Sequence, residues 1–148
     1  MTTKPRLLAT VLALAALLAS FSSAVAQSGK PPRDLDAIQR KVQRSAAYQK
    51  QALEALSEPA KAAQLVGSAY THLKAAQDDM VINATTAKSV DPIQQLNGRK
   101  VDQALSLVQQ AADALVARGS DPDNAVAVAR DRLQQALRLT NSLLATGF

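Results

Sequence analysis

The chain has 148 residues, a formal net charge of +5 at neutral pH, one histidine and no cysteine. The missing cysteine excludes disulfides, thiolate metal sites, covalent haem attachment and thiol nucleophiles. A chain of this length suits one domain with one hydrophobic core, and its mild positive charge implies no obligatory anionic partner.

The first 26 residues have the layout of a secretory signal peptide. Lys4 and Arg6 precede the uncharged apolar run 7–19. This run is shorter than the roughly 18–20 residues that a membrane-spanning helix requires, although an uncleaved N-terminal anchor is the alternative. We expect cleavage after Ala26, a periplasmic or secreted location, a flexible segment at 27–33 and no transmembrane segment in the mature chain. The composition is typical of an exported bacterial protein.

Acid–proline pairs recur along the rest of the chain and predict where helices begin. Proline suits the first turn of a helix, where backbone N–H groups have no partner in the helix. A preceding Asp or Ser accepts a hydrogen bond from these groups and caps the helix. Asp91-Pro92 and Asp121-Pro122 fit this arrangement. We expect Ser57 to cap the helix that starts at Pro59, and Asp34 to cap the first one.

The spacing of apolar residues predicts four helices and no strand. Steps of three and four residues place them on one stripe of each helix. The stripe of the third helix is predicted to include Ile93, Leu96 and Val101, and that of the second to include Met80 and Asn83. The predicted helices cover residues 34–56, 59–88, 92–118 and 122–145.

Short connections between these helices favour antiparallel neighbours. The predicted fold is therefore an all-α, up-down-up-down four-helix bundle over residues 34–148. Many stripe positions are alanine, which buries little apolar surface. The alternative is therefore a homo-oligomer, in which a second copy of the chain covers part of the stripe.

Three polar residues fall on or beside the predicted stripes, namely Gln49, Asn83 and Thr140. Buried polar groups require hydrogen-bond partners. We expect them to fix helix register by bonding between helices, with a small ligand pocket as the alternative.

No residues with the spacing of a catalytic site are evident. His72 has no second potential metal ligand three or four residues away on its helix. Met80 lies eight residues beyond it on the same helix, an unsuitable placement for two ligands on opposite sides of a haem. With neither a nucleophile motif nor a phosphate-binding loop, we predict a protein that is not an enzyme and has no metal or cofactor.

The basic residues are concentrated in the first helix. Arg33, Arg40 and Arg44 follow one strip of it, at positions i, i+7 and i+11. Such a strip could contact an acidic protein face or an anionic envelope surface. Nucleic acid is not expected, because Tyr48 is the one ring nearby that could stack on a base.

The sequence therefore predicts an exported helical bundle that acts by binding a protein or an envelope surface through this basic strip or an alanine-lined groove. The alternative is a bundle that binds a small ligand or a metal between its helices. The residues that would form that site are His72, Met80 and Asn83.

Overall fold

The computed structural model describes residues 32–117, 119 and 121–148. These residues form four α-helices and contain no strand, which confirms the prediction of an all-α, four-helix fold. The bounds lie within two residues of the predicted ones. The signal peptide predicted at 1–26 and residues 27–31 of the predicted flexible segment lie outside the described residues. The helices are α1 (Leu35–Glu54), α2 (Pro59–Thr86), α3 (Pro92–Val116) and α4 (Pro122–Thr146).

Aspartates cap three of the four helices as predicted. The carboxylate of Asp34 accepts a hydrogen bond from the N–H of Asp36 at 3.1 Å. Asp91 accepts from Ile93 at 2.8 Å, and Asp121 accepts from Asn124 at 3.0 Å. Each cap satisfies a backbone donor that the first helical turn leaves unpaired.

The predicted cap at Ser57 is wrong. Helix α2 begins at Pro59 with Glu58 in the capping position, and the side chain of Glu58 makes no capping hydrogen bond to the backbone of the first turn. The N–H of Glu58 instead donates to the carbonyl of Ala55 at 2.9 Å. The chain thus passes from α1 to α2 through a tight turn, and Glu58 rather than Ser57 occupies the capping position.

Each helix packs against two others: α1 and α3 both contact α2 and α4. The buried apolar residues form two clusters, and alanine is the most frequent residue in the larger one. The lower cluster consists of Ala52, Ala55, Leu56, Ala62, Val66, Ala69, Val108, Ala111, Leu115, Ala129, Leu133 and Ala136. The upper cluster consists of Ile38, Val42, Leu73, Ala76, Val101, Ala104, Leu105 and Leu143.

A buried polar layer separates the two clusters. The side-chain amide of Gln49 donates to the hydroxyls of Ser45 and Thr140, each at 3.1 Å. The two hydroxyls donate in turn to the carbonyls of Ala69 and Ala136, both at 2.8 Å. This layer joins α1, α2 and α4, and it confirms the expectation that Gln49 and Thr140 bond between helices.

The stripe predicted for the start of α3 is wrong. Ile93 is 59% exposed and Leu96 is 53% exposed, whereas Asn97 is buried. The step from Leu96 to Val101 is five residues, which rotates Leu96 by about 140° from the face that carries Val101. Asn97 lies four residues before Val101 and therefore shares its face. Its side-chain amide donates to the carbonyl of Gly147 at 2.9 Å.

No helix in the described ranges combines the length with the apolar character that crossing a bilayer requires.

Candidate binding cavity at the end of the bundle

A cavity of about 250 Å³ lies beyond the upper cluster, at the end of the bundle where α2 ends and α3 begins. The start of α1, the loop between α2 and α3, and the C-terminal Phe148 complete its wall. Met80 and Phe148 also pack against the upper cluster, so the cavity adjoins the core. Its wall consists of Leu35, Ile38, Gln77, Met80, Val81, Asn83, Ala84, Ala87, Ser89, Val90, Asp91, Gln94, Gln95, Asn97, Gly98, Asp102 and Phe148.

The walls contributed by α1 and α2 are mostly aliphatic. Met80, Val81 and Ala84 follow one another at helical spacing along the last turns of α2, and Ala87, the residue directly after the helix, extends the series. They continue the helix face that carries buried apolar residues further down. From Gln77 to Ala87 this wall extends for about 15 Å along the helix axis.

The wall contributed by α3 is polar. Asp91, Gln94, Gln95, Gly98 and Asp102 all line the cavity. They stand at positions i, i+3, i+4, i+7 and i+11, which fall on one face of a helix. The cavity is therefore lined by aliphatic residues on one side and by residues with amide or carboxylate ends on the other, and most of its lining surface is apolar.

Gln77 and Asp102 join α2 to α3 at the end of the cavity farthest from the loop. The Gln77 side-chain amide donates a hydrogen bond to Oδ1 of Asp102. Its own oxygen, Oε1, is shielded from solvent and receives no hydrogen bond from the described residues. An acceptor that is shielded from water and has no donor lowers the stability of the fold. A hydrogen-bond donor brought to Oε1 would therefore be favourable at this end of the cavity.

Large apolar side chains are exposed around the cavity. Leu35 and Val81 are each 42% exposed and Val90 is 72% exposed, and all three line it. A cluster of exposed aliphatic residues around a concavity is characteristic of a binding site.

Polar contacts hold the start of α1 beside the cavity. The backbone N–H of Arg33 donates to Oδ1 of Asn83 at 2.6 Å, and Nδ2 of Asn83 donates to the Arg33 carbonyl at 3.0 Å. The carboxylate of Asp79, which is largely buried, pairs with Lys41 and with Arg33 Nε, the latter at 3.7 Å. These contacts fix Leu35 and Ile38 in place against α2.

The structure brings together two of the three residues predicted for a ligand pocket. Met80 and Asn83 line the cavity, but His72 does not. The ring of His72 stacks instead on Tyr48 of α1, with ring centres 5.4 Å apart and planes 6° apart. Asn83 is half-buried and does not belong to the buried stripe, because its side chain forms hydrogen bonds with the backbone of Arg33. No group of three potential metal ligands occurs in the described part of the chain.

Two of the three arginines of the predicted basic strip have acidic partners. Arg33 faces Asp79, and Arg40 approaches Asp34 at 3.9 Å. Arg44 is exposed and forms no ion pair within the described residues. The strip is thus partly neutralised by the protein itself.

The sequence analysis did not predict that Gln77, Gly98 and the carboxylates of Asp91 and Asp102 belong to a site. The sequence did contain one signal for this site. The lining residues between 77 and 87, and those between 91 and 102, each recur at helical spacing, and a short loop connects the two series. It gave no indication that these two stripes face each other across a cavity.

Comparison of this chain with protein-family models, with curated proteins and with solved structures gave no match.

Proposed function

We propose that this chain is a non-catalytic, exported binding protein that receives an aliphatic ligand, or the aliphatic part of one, in the cavity at the end of its bundle. The observation that carries the proposal is a cavity of about 250 Å³ with exposed Leu35, Val81 and Val90 in its wall. Export is supported by the signal-peptide layout of residues 1–26. The short connections support an up-down-up-down order of the helices.

The size of the cavity limits what it holds. A volume of about 250 Å³ corresponds to roughly eight water-sized groups at about 30 Å³ each. This is below the range of about 300–1,000 Å³ typical of drug-sized pockets. The site therefore suits a small aliphatic molecule or one end of a larger one, with a dissociation constant on the order of millimolar.

Two glycines supply a matched test. Gly98 lines the cavity and Gly67 does not, while both lie inside helices. Apart from the adjoining stretch of its own helix, a Cβ added to either would meet no atom of the described residues within 4 Å. Gly98→Leu should fill the cavity without disturbing the backbone, and Gly67→Leu is the control for the same change elsewhere.

The measurement is a two-dimensional amide NMR titration with hexan-1-ol. In the original protein and in Gly67→Leu we expect saturable shifts confined to the ends of α2 and α3. Gly98→Leu should abolish them. Shifts spread over the whole surface, or binding unchanged in Gly98→Leu, would refute a site in this cavity.

A second candidate function is contact with an anionic envelope surface through α1. Arg40 has a side-chain exposure of 61%, and Arg44 is also exposed. Arg40→Glu combined with Arg44→Glu should then reduce sedimentation with vesicles containing phosphatidylglycerol. Equal sedimentation of the variant and the original protein would rule out this contact.

A further inference from the structure

We infer that the cavity selects a small amphiphile with an aliphatic chain and a cationic ammonium head, and that the head binds between Asp102 and Gln77. This inference rests on the proposed function, because it names the chemistry of the ligand for the same site.

The charges in the cavity wall have one sign. Asp91 and Asp102 are its two charged residues, and neither has an ion-pair partner among the described residues. Nearby cations do not line the wall. Lys100 is directed towards α4, where it donates to the hydroxyl of Ser142 at 3.0 Å, and Arg99 and Lys88 are exposed outside the cavity. A carboxylate ligand would therefore meet two like charges and no opposite one.

The two carboxylates are not equivalent. Eleven residues separate them along α3, or about 16 Å, so one ammonium group cannot contact both. Asp91 is occupied by capping the helix, where its Oδ1 accepts the N–H of Ile93. Asp102 stands beside Gln77 at the end of the cavity away from the exposed loop.

Asp102 and Gln77 together offer what an ammonium group requires. Oδ1 of Asp102 is held by the Gln77 amide, which leaves its second oxygen for another donor. Oε1 of Gln77 receives no hydrogen bond from the residues that the structure describes. The terminal torsion of a glutamine side chain is soft, so a rotation presents Oε1 to an incoming group. The same rotation withdraws Nε2 from Asp102, and the ammonium takes over its hydrogen bond to the carboxylate. An ammonium has three N–H donors and can satisfy both oxygens at once.

The aliphatic part of the ligand lies along α2. From Gln77 towards the loop, the opposite wall presents Met80, Val81 and Ala84. A chain of about six carbons with its head at Asp102 fills the volume and covers these side chains. The ligand class is thus a primary alkylamine, which is protonated at neutral pH as a lysine side chain is.

The test compares three probes of equal chain length by amide NMR titration of the purified protein: hexylammonium, hexan-1-ol and hexanoate. Hexylammonium should bind about threefold tighter than hexan-1-ol and about tenfold tighter than hexanoate, since exposed charge pairs contribute modestly. The preference should shrink at about 1 M salt, where the Debye length is about 3 Å.

Asp102→Asn removes the charge but keeps an acceptor for Gln77, and should reduce the preference over hexanoate to about threefold or less. Asp113→Asn, an equal charge change at an exposed site on the same helix, should leave the preference intact. Loss of the preference in Asp91→Asn but not in Asp102→Asn would overturn the assignment of the head group.

Failure of this inference differs from failure of the proposed function. If hexan-1-ol binds in the cavity and hexanoate binds as tightly as hexylammonium, the ligand class is wrong and the binding cavity stands. If none of the three probes shifts the residues of the cavity, both proposals are refuted.

Discussion

The side chain of Asn83 holds the backbone of Arg33 by two hydrogen bonds, one accepted at 2.6 Å and one donated at 3.0 Å. Fifty residues separate the two in sequence. The pairing ties the residue before the cap of α1 to the last turn of α2, and it forms part of the frame around the cavity.

Asn83→Ala should loosen the start of α1. Loss of two hydrogen bonds that are partly open to water is expected to lower the free energy of unfolding by about 1–2 kcal/mol. Amide hydrogen exchange should accelerate in the first turns of α1 more than in α3. Asn141→Ala, at an exposed position of α4, is the control and should change neither quantity. If amide hydrogen exchange accelerated equally in all helices of both variants, Asn83 would not be the residue that holds the start of α1 in place.

Adjacent acids on α2 should differ in their contribution to stability. The side chain of Asp79 is 13% exposed and pairs with Lys41 and Arg33, whereas that of Asp78 is 46% exposed and pairs with Lys74. Asp79→Asn should cost about 1–3 kcal/mol, because it leaves cationic partners of a largely buried group without their counter-charge. Asp78→Asn should cost at most about 1 kcal/mol. Urea unfolding of both variants measures the difference, and equal costs would count against this account.

Replacement of the buried Gln49 by methionine should not destabilise the bundle. Its Oε1 is buried and has no hydrogen-bond partner within the described part of the chain, and this is an existing cost. The hydroxyls of Ser45 and Thr140 keep their backbone acceptors when the amide is removed. We expect Gln49→Met to be neutral or to stabilise by about 1 kcal/mol in urea unfolding. Gln49→Glu should be strongly destabilising, because it places a charge between two apolar clusters. A large loss in the methionine variant would mean that the amide is needed for register.

Tyr70 should make the protein sensitive to alkaline pH. Burial, and secondarily the negative charge of Asp78, raises the pKa of Tyr70 above its ordinary value of 10.0. The unfolded chain therefore ionises first, so this contribution to stability is complete below pH of about 10 and is lost as the pH rises above it. Tyr70→Phe should lose less stability than the original protein between pH of about 9 and about 11. Thermal unfolding measures this difference. If the two proteins lost the same stability over this pH range, ionisation of Tyr70 would not be the cause of the alkaline sensitivity.

The sequence by itself determined the helices and where they begin. Proline after aspartate at Asp91 and Asp121 fixes the first turn through local chemistry, because the proline ring and the carboxylate cap act within three residues of each other. The residues that recur at steps of three and four in α2 are likewise buried, because one face of a helix is defined by its own geometry; they are Ala62, Val66, Ala69, Leu73 and Ala76.

The tertiary structure alone decided which side of the first turns of α3 faces inwards and what the ends of the helices enclose. Ile93 and Leu96 are apolar and could have been core residues. Val101 and Leu105, however, lie on the face of α3 that packs against the other helices, and Asn97 is buried because it shares that face. The cavity depends on α1, α2, α3 and Phe148 meeting at one end of the bundle. Contacts such as those of Gln77 with Asp102 and Arg33 with Asn83 join residues 25 and 50 positions apart. Local patterns specify the helices, but the distance between two helix faces depends on the packing of the whole bundle.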